Sequence, residues 1–141
     1  MSFKSKVLAG IGAAVLLWFA SIAWDYFDQD SIPHVAMRYS LSMFGSAMYE
    51  YHSVTGRWPT RLEDLAQTTL PVRSPIWRQS AATMTFLWPQ NLKPDPKDNA
   101  GALLAYTDAG LFNKLGRMWV CWGDLRTEHL PERELRARLA K

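Results

Sequence analysis

Residues 7–24 read VLAGIGAAVLLWFASIAW, an unbroken run of 18 residues without a charge. As a helix rising about 1.5 Å per residue, the run reaches roughly 27 Å, enough to cross the hydrocarbon core of a bilayer. Lys4 and Lys6 stand before it, Asp25, Asp28 and Asp30 follow it, and no lysine or arginine recurs until Arg38. That asymmetry places the N-terminus on the cytoplasmic side and sends the rest of the chain across the membrane. Two readings of the run compete. A basic start, an apolar stretch and the small-x-small triplet Ser21-Ile22-Ala23 fit a cleaved export signal. The length of the run, with Trp18, Trp24, Tyr26 and Phe27 as an interfacial aromatic belt at its outer end, fits a retained anchor. The anchor is the expectation adopted. It divides the chain into a transmembrane anchor with its flank, residues 1–31, and an exported domain, residues 32–141.

Within the run, Ala9 and Ala13, and again Gly10 and Ala14, are small residues four apart. They form a smooth face on which a second transmembrane helix could pack closely. Asp25, Asp28 and Asp30 read as a solvated outer flank, because Ser31-Ile32-Pro33 breaks any EF-hand pattern.

Bulk composition narrows the remainder. With the anchor set aside, the 141-residue chain has room for one small domain. A net charge of +3, carried by scattered basic residues, gives no nucleic-acid footprint. The single cysteine, Cys121, excludes an intramolecular disulfide and a cysteine-based zinc or iron–sulfur site within one chain.

Downstream of Pro33, the residues Met37, Leu41, Phe44, Met48 and Tyr51 recur at spacings of 4, 3, 4 and 3. This predicts an amphipathic helix over residues 34–54, with Arg38, Ser42, Ser46 and Glu50 on the outer side. Gly56 supplies its C-terminal cap and Pro59 stops it. Thr60 and Glu63 have capping-box spacing for a short helix, residues 61–67, that buries Leu62 and Leu65.

Ala47-Met48-Tyr49-Glu50-Tyr51-His52, then Thr55-Gly56-Arg57-Trp58-Pro59-Thr60 and Leu62-Glu63-Asp64-Leu65, resemble the helix-to-head junction of type IV pilins and type II secretion pseudopilins. The resemblance implies an anchor helix that continues into an amphipathic helix packed on an antiparallel sheet. The family's processing site, a Gly-Phe step followed by a glutamate, has no counterpart in Met1-Ser2-Phe3-Lys4-Ser5-Lys6 or anywhere before Asp25. What is implied is therefore a pilin-like shape rather than a pilus function.

The C-terminal half reads as a small sheet. Residues 83–88 alternate, with Met84, Phe86 and Trp88 on one face. Residues 91–101 form a surface loop rich in Pro, Asp and Asn. Residues 103–107 and 117–122 are two further strands, and Gly123-Asp124 turns into a fourth, residues 126–130. Pro131 opens a closing helix with Glu132/Arg136 and Glu134/Arg138 as i,i+4 pairs and with Leu135 and Leu139 facing inward. The expected fold is α+β: a transmembrane helix, an amphipathic helix on an antiparallel sheet of about four strands, and a short C-terminal helix.

No catalytic, cofactor or metal constellation emerges. His34, His52 and His129 are far apart in sequence, and Asp95, Asp98 and Asn99 in the 91–101 loop read as turn residues rather than a calcium site. Cys121 reads as a packed small hydrophobe. The aromatic residues exceed what one small core easily covers, which makes Trp18, Trp24, Tyr26, Trp58 and Trp77 interface candidates. The expectation is a non-catalytic single-span protein of a bacterial inner membrane with a periplasmic head. It is held in the lipid bilayer and attached to other subunits of a larger membrane complex. A polymerising pseudopilin is the alternative, and a membrane-tethered enzyme or binding domain the third.

Overall fold

The computed structural model describes residues 14–21, 23, 32–108 and 116–140. Ala9, Gly10, Ala13, Trp24, Tyr26 and the Asp25–Asp30 flank lie outside the described residues. Residues 14–21 are helical. Among the described residues, no helix is long and apolar enough to cross a membrane.

The fold is built on α1 (Ile32–Thr55), which runs slightly beyond the range that the apolar spacing predicts. The stripe lands where burial demands it: Met37, Leu41, Phe44 and Met48 are buried, and Tyr51 is half-buried. Gly56 ends the helix at φ +70°, a left-handed conformation that costs glycine no Cβ clash, and its N–H bonds to the His52 carbonyl at 2.8 Å.

A 3-10 helix (Leu62–Gln67) follows and buries Leu65. Its start departs from the expected capping box. Asp64, not Glu63, reaches back, accepting from the Thr60 backbone N–H at 2.9 Å and from the Thr60 hydroxyl at 3.1 Å. That backbone bond is the main reason the Asp64 carboxyl is held below its ordinary pKa. Next comes α2 (Pro75–Ala81). Pro75 at its first position suits a helix start, because proline lacks only an N–H that would go unused there.

Four strands, β1 (Met84–Phe86), β2 (Leu103–Thr107), β3 (Arg117–Trp122) and β4 (Thr127–Pro131), form one antiparallel meander in the order β1-β2-β3-β4. β1 is shorter than its alternation predicts, although the Leu87 N–H still bonds to the Leu104 carbonyl at 2.8 Å. β4 starts one residue late because Leu125, at φ 66°, and Arg126 belong to the turn.

Helices cover both faces of β3. Trp119 and Cys121 face α1, while Met118, Val120 and Trp122 face α3 (Glu132–Leu139), which seats Leu135 among them. A bulge between Leu103 and Ala105 turns two consecutive residues, Leu104 and Ala105, toward the α1 side, where both are fully buried. Glu132/Arg136 and Glu134/Arg138 form the expected ion pairs on α3. Leu139 does not pack inward. It is half exposed, because α3 ends there and only Leu135 reaches the sheet.

Chain crossings are tightest at two glycines. A Cβ on Gly45 of α1 would lie 3.1 Å from Cys121 Sγ and 3.0 Å from Leu125 Cδ2. One on Gly123 would lie 2.6 Å from the Asn99 carbonyl oxygen, a backbone atom that cannot rotate away. Gly123→Ala is therefore expected to lower stability by about 1–3 kcal/mol, seen as a lower denaturant midpoint with unchanged slope.

Candidate functional site

Three places bear on function: the N-terminal helical stretch with the outer side of α1, the aromatic residues, and the histidines.

Every residue from 14 to 20 is exposed, and these include Ala14, Val15, Leu16, Leu17, Trp18 and Phe19. Trp18 and Phe19 pair edge to face at 5.3 Å. A helical stretch that is apolar all round and left exposed by the other described residues is unfavourable in water. Along the outer side of α1, Val35, Tyr39, Ser42, Ser46 and Ser53 fall on one stripe, with Tyr39 65% exposed and Val35 46% exposed. The small serines keep that side smooth.

The aromatic surplus is mostly absorbed by the core, and two of the interface candidates, Trp58 and Trp77, are buried within it. Trp58 is 8% exposed, donates from Nε1 to the Leu92 carbonyl at 3.1 Å, and lies between Tyr49 and His52. Its ring stacks on His52 at 4.1 Å. Trp77 is 5% exposed and stacks on Phe86. The physical reason is that the sheet is covered on both faces, so the core takes large side chains on two sides: Trp119 under α1 and Trp122 under α3. Of the five interface candidates, only Trp18 is described and exposed.

The fold gathers two of the three histidines. His34, in the first turn of α1, and His129, in β4, face each other with ring centroids 5.5 Å apart. Trp119 donates from Nε1 to His34 Nδ1 at 2.8 Å, so this nitrogen of His34 carries a lone pair and no proton. His129 stacks on Trp119 at 4.7 Å, Arg38 lies over the same indole, and Arg117 donates to the His129 carbonyl at 2.6 Å. Burial, then the Arg117 guanidinium and then His34, lower the pKa of His129 to about 4. The cluster clips the start of α1 to β3 and β4. Nothing in the sequence spacing signals it, because the residues come from three separate elements.

The 91–101 loop is more ordered than its composition suggests. Asp95 caps a 3-10 helix (Pro96–Asn99) by accepting from the Lys97 N–H at 3.0 Å. Buried Asn99 accepts from the Lys93 N–H at 2.9 Å and donates to the carbonyls of Lys93 and Asp95 and to the Tyr49 hydroxyl. Tyr49 passes the chain on to the Gly123 carbonyl at 2.5 Å. Burial is the main reason the Tyr49 phenol is pushed above its ordinary pKa, which keeps it a donor. Asn99→Ala would remove the acceptor of the part-buried Lys93 N–H and the donor to the Lys93 and Asp95 carbonyls, and would leave the Tyr49 hydroxyl with its Gly123 bond alone. It is expected to cost about 2 kcal/mol or more, read as a lower thermal midpoint.

Cys121 is fully buried, and burial pushes its thiol up to about 12, so it stays protonated at neutral pH. Among the described residues, no three His, Cys, Asp or Glu side chains are gathered in a way that could hold a metal ion. No protein-family model, curated protein or solved structure matches the chain.

Proposed function

We propose that the chain is a non-catalytic, single-span membrane protein whose exported, pilin-like head serves as an accessory subunit of a larger membrane complex. The observation that carries this reading is the uncharged run at residues 7–24. Its described part is helical and exposes apolar side chains on every side, a surface suited to lipid or to another transmembrane helix. The small residues Ala9, Gly10, Ala13 and Ala14 give the run a face for close helix packing. Lys4 and Lys6 favour a cytoplasmic N-terminus, with the head in the periplasm of a bacterium.

The head supports the pilin-like part of the reading. A long helix lies against a four-stranded antiparallel meander and leaves it through Gly56-Arg57-Trp58-Pro59 into a short 3-10 helix. Attachment through span and head together fits the side of α1 that exposes Val35 and Tyr39, which follow the acidic flank in the sequence. That same side also favours one alternative, a divergent pseudopilin that packs α1 against other copies. A membrane-tethered enzyme or binding domain is the third reading.

Topology provides the test. The chain is expected to stay with inner membranes after an alkaline wash, and external protease is expected to digest the head only once the outer membrane is opened. Release by the wash, or a head protected in spheroplasts, would contradict the reading.

A further inference from the structure

A groove of about 630 Å³ opens between the 3-10 helix and α2. Leu62, Ala66 and Val72 give it an apolar wall, and Arg73 and Arg78 stand on its lining. Neither guanidinium has a carboxylate partner among the described residues; Arg78 donates from Nε only to the Val72 carbonyl, at 3.3 Å. Trp77 lines the same groove, is 95% buried, and has an indole N–H with no acceptor among the described residues. A buried donor left without an acceptor is costly, and two unpaired arginines suit planar, bidentate carboxylate recognition. One lining residue opposes an anion: Glu63.

We propose that this groove binds the carboxyl terminus of a partner chain ending in an aliphatic residue. The volume lies within the range of sites that hold small ligands, roughly 300–1,000 Å³. A terminal Leu or Val carries its aliphatic side chain and its carboxylate on one residue, matching the apolar wall and the two guanidiniums. The preceding peptide carbonyl then supplies an acceptor for the Trp77 N–H once the side chains covering it shift. That third requirement favours a peptide over a fatty carboxylate, which has no acceptor beyond the carboxylate itself. The proposal needs no membrane span, so it stands apart from the reading of the N-terminal run.

The test uses the full chain in lipid nanodiscs, labelled with fluorotryptophan and titrated with the tetrapeptide acetyl-Gly-Ala-Ala-Leu. The free-acid peptide is expected to bind saturably and to shift one fluorine resonance, assigned to Trp77 with Trp77→Phe. Its C-terminal amide, and the surface variants Arg73→Ala and Arg78→Ala with the free acid, are each expected to bind about tenfold more weakly. Glu63→Gln is expected to tighten binding. No saturable binding, equal binding of acid and amide, or octanoate competing as well as the peptide would overturn the proposal. The arginine variants carry the test even if Trp77→Phe fails to fold.

Discussion

Phe44→Ala is expected to lower the stability of the head by about 3–5 kcal/mol, enough to unfold much of it at physiological temperature. Phe44 sits at the middle of the α1 stripe with no exposed surface, and its ring meets Phe86 at 4.6 Å and Trp88 at 5.3 Å. Its loss removes the transfer energy of a whole ring and opens a cavity. Leu41, Met48 and Leu104 around it are already packed and cannot collapse into the space. A useful control is Val54→Ala on the same helix: Val54 is 78% exposed, so its truncation should stay within about 0.5 kcal/mol. Urea unfolding of the full chain in mild detergent, followed by tryptophan fluorescence, reads both. A Phe44→Ala loss below about 1 kcal/mol would mean that α1 does not pack on the sheet as described.

The second large effect is acid destabilisation centred on His129. Its folded pKa of about 4 lies below the ordinary 6.5, mainly because burial penalises the imidazolium, with Arg117 and His34 adding to the effect. The unfolded chain therefore takes up a proton near pH 6.5 while the folded head resists until about pH 4. Stability from this group is full above pH 6.5, falls as pH drops from 6.5 to 4, and changes no further below that. The whole loss amounts to about 3 kcal/mol. Denaturant midpoints measured across this range should fall with pH in the native chain. In His129→Gln, which cannot titrate, the slope should be mostly absent. An equal slope in both would assign the acid sensitivity to other groups.

Much of the head is legible in the sequence because its elements announce themselves through burial. The 4-3-4-3 spacing of Met37 to Tyr51 reports the α1 stripe directly, and β2 and β3 fall where their apolar runs place them. What escapes is set by tertiary contacts. α2 is one short helix with Ile76 79% exposed, so no apolar period marks it, and Ser74-Pro75 is its single local signal. The groove beside α2 escapes with it. Asn99 is a polar residue in a proline-rich loop, yet it is buried because Tyr49 and Gly123 close over it. The pairing of His34 with Trp119 and His129 depends on where the first turn of α1 meets the sheet. The burial of so many aromatic residues escapes because β3 is covered on both faces, which no local spacing announces. Asp64 takes the place of Glu63 because the helix starts at Leu62 with Arg61 at its N-cap, one residue later than the spacing suggests, which makes Asp64 its third residue.

The central claim, a membrane-anchored subunit of a larger complex, is tested most directly by isolating the chain from its native membrane in mild detergent. Composition and intact mass are then measured together. The account expects the chain to co-purify in fixed stoichiometry with other membrane proteins, its mass including residues 1–24. A monodisperse monomer without partners, or a chain recovered only after loss of its apolar N-terminal run, would contradict it.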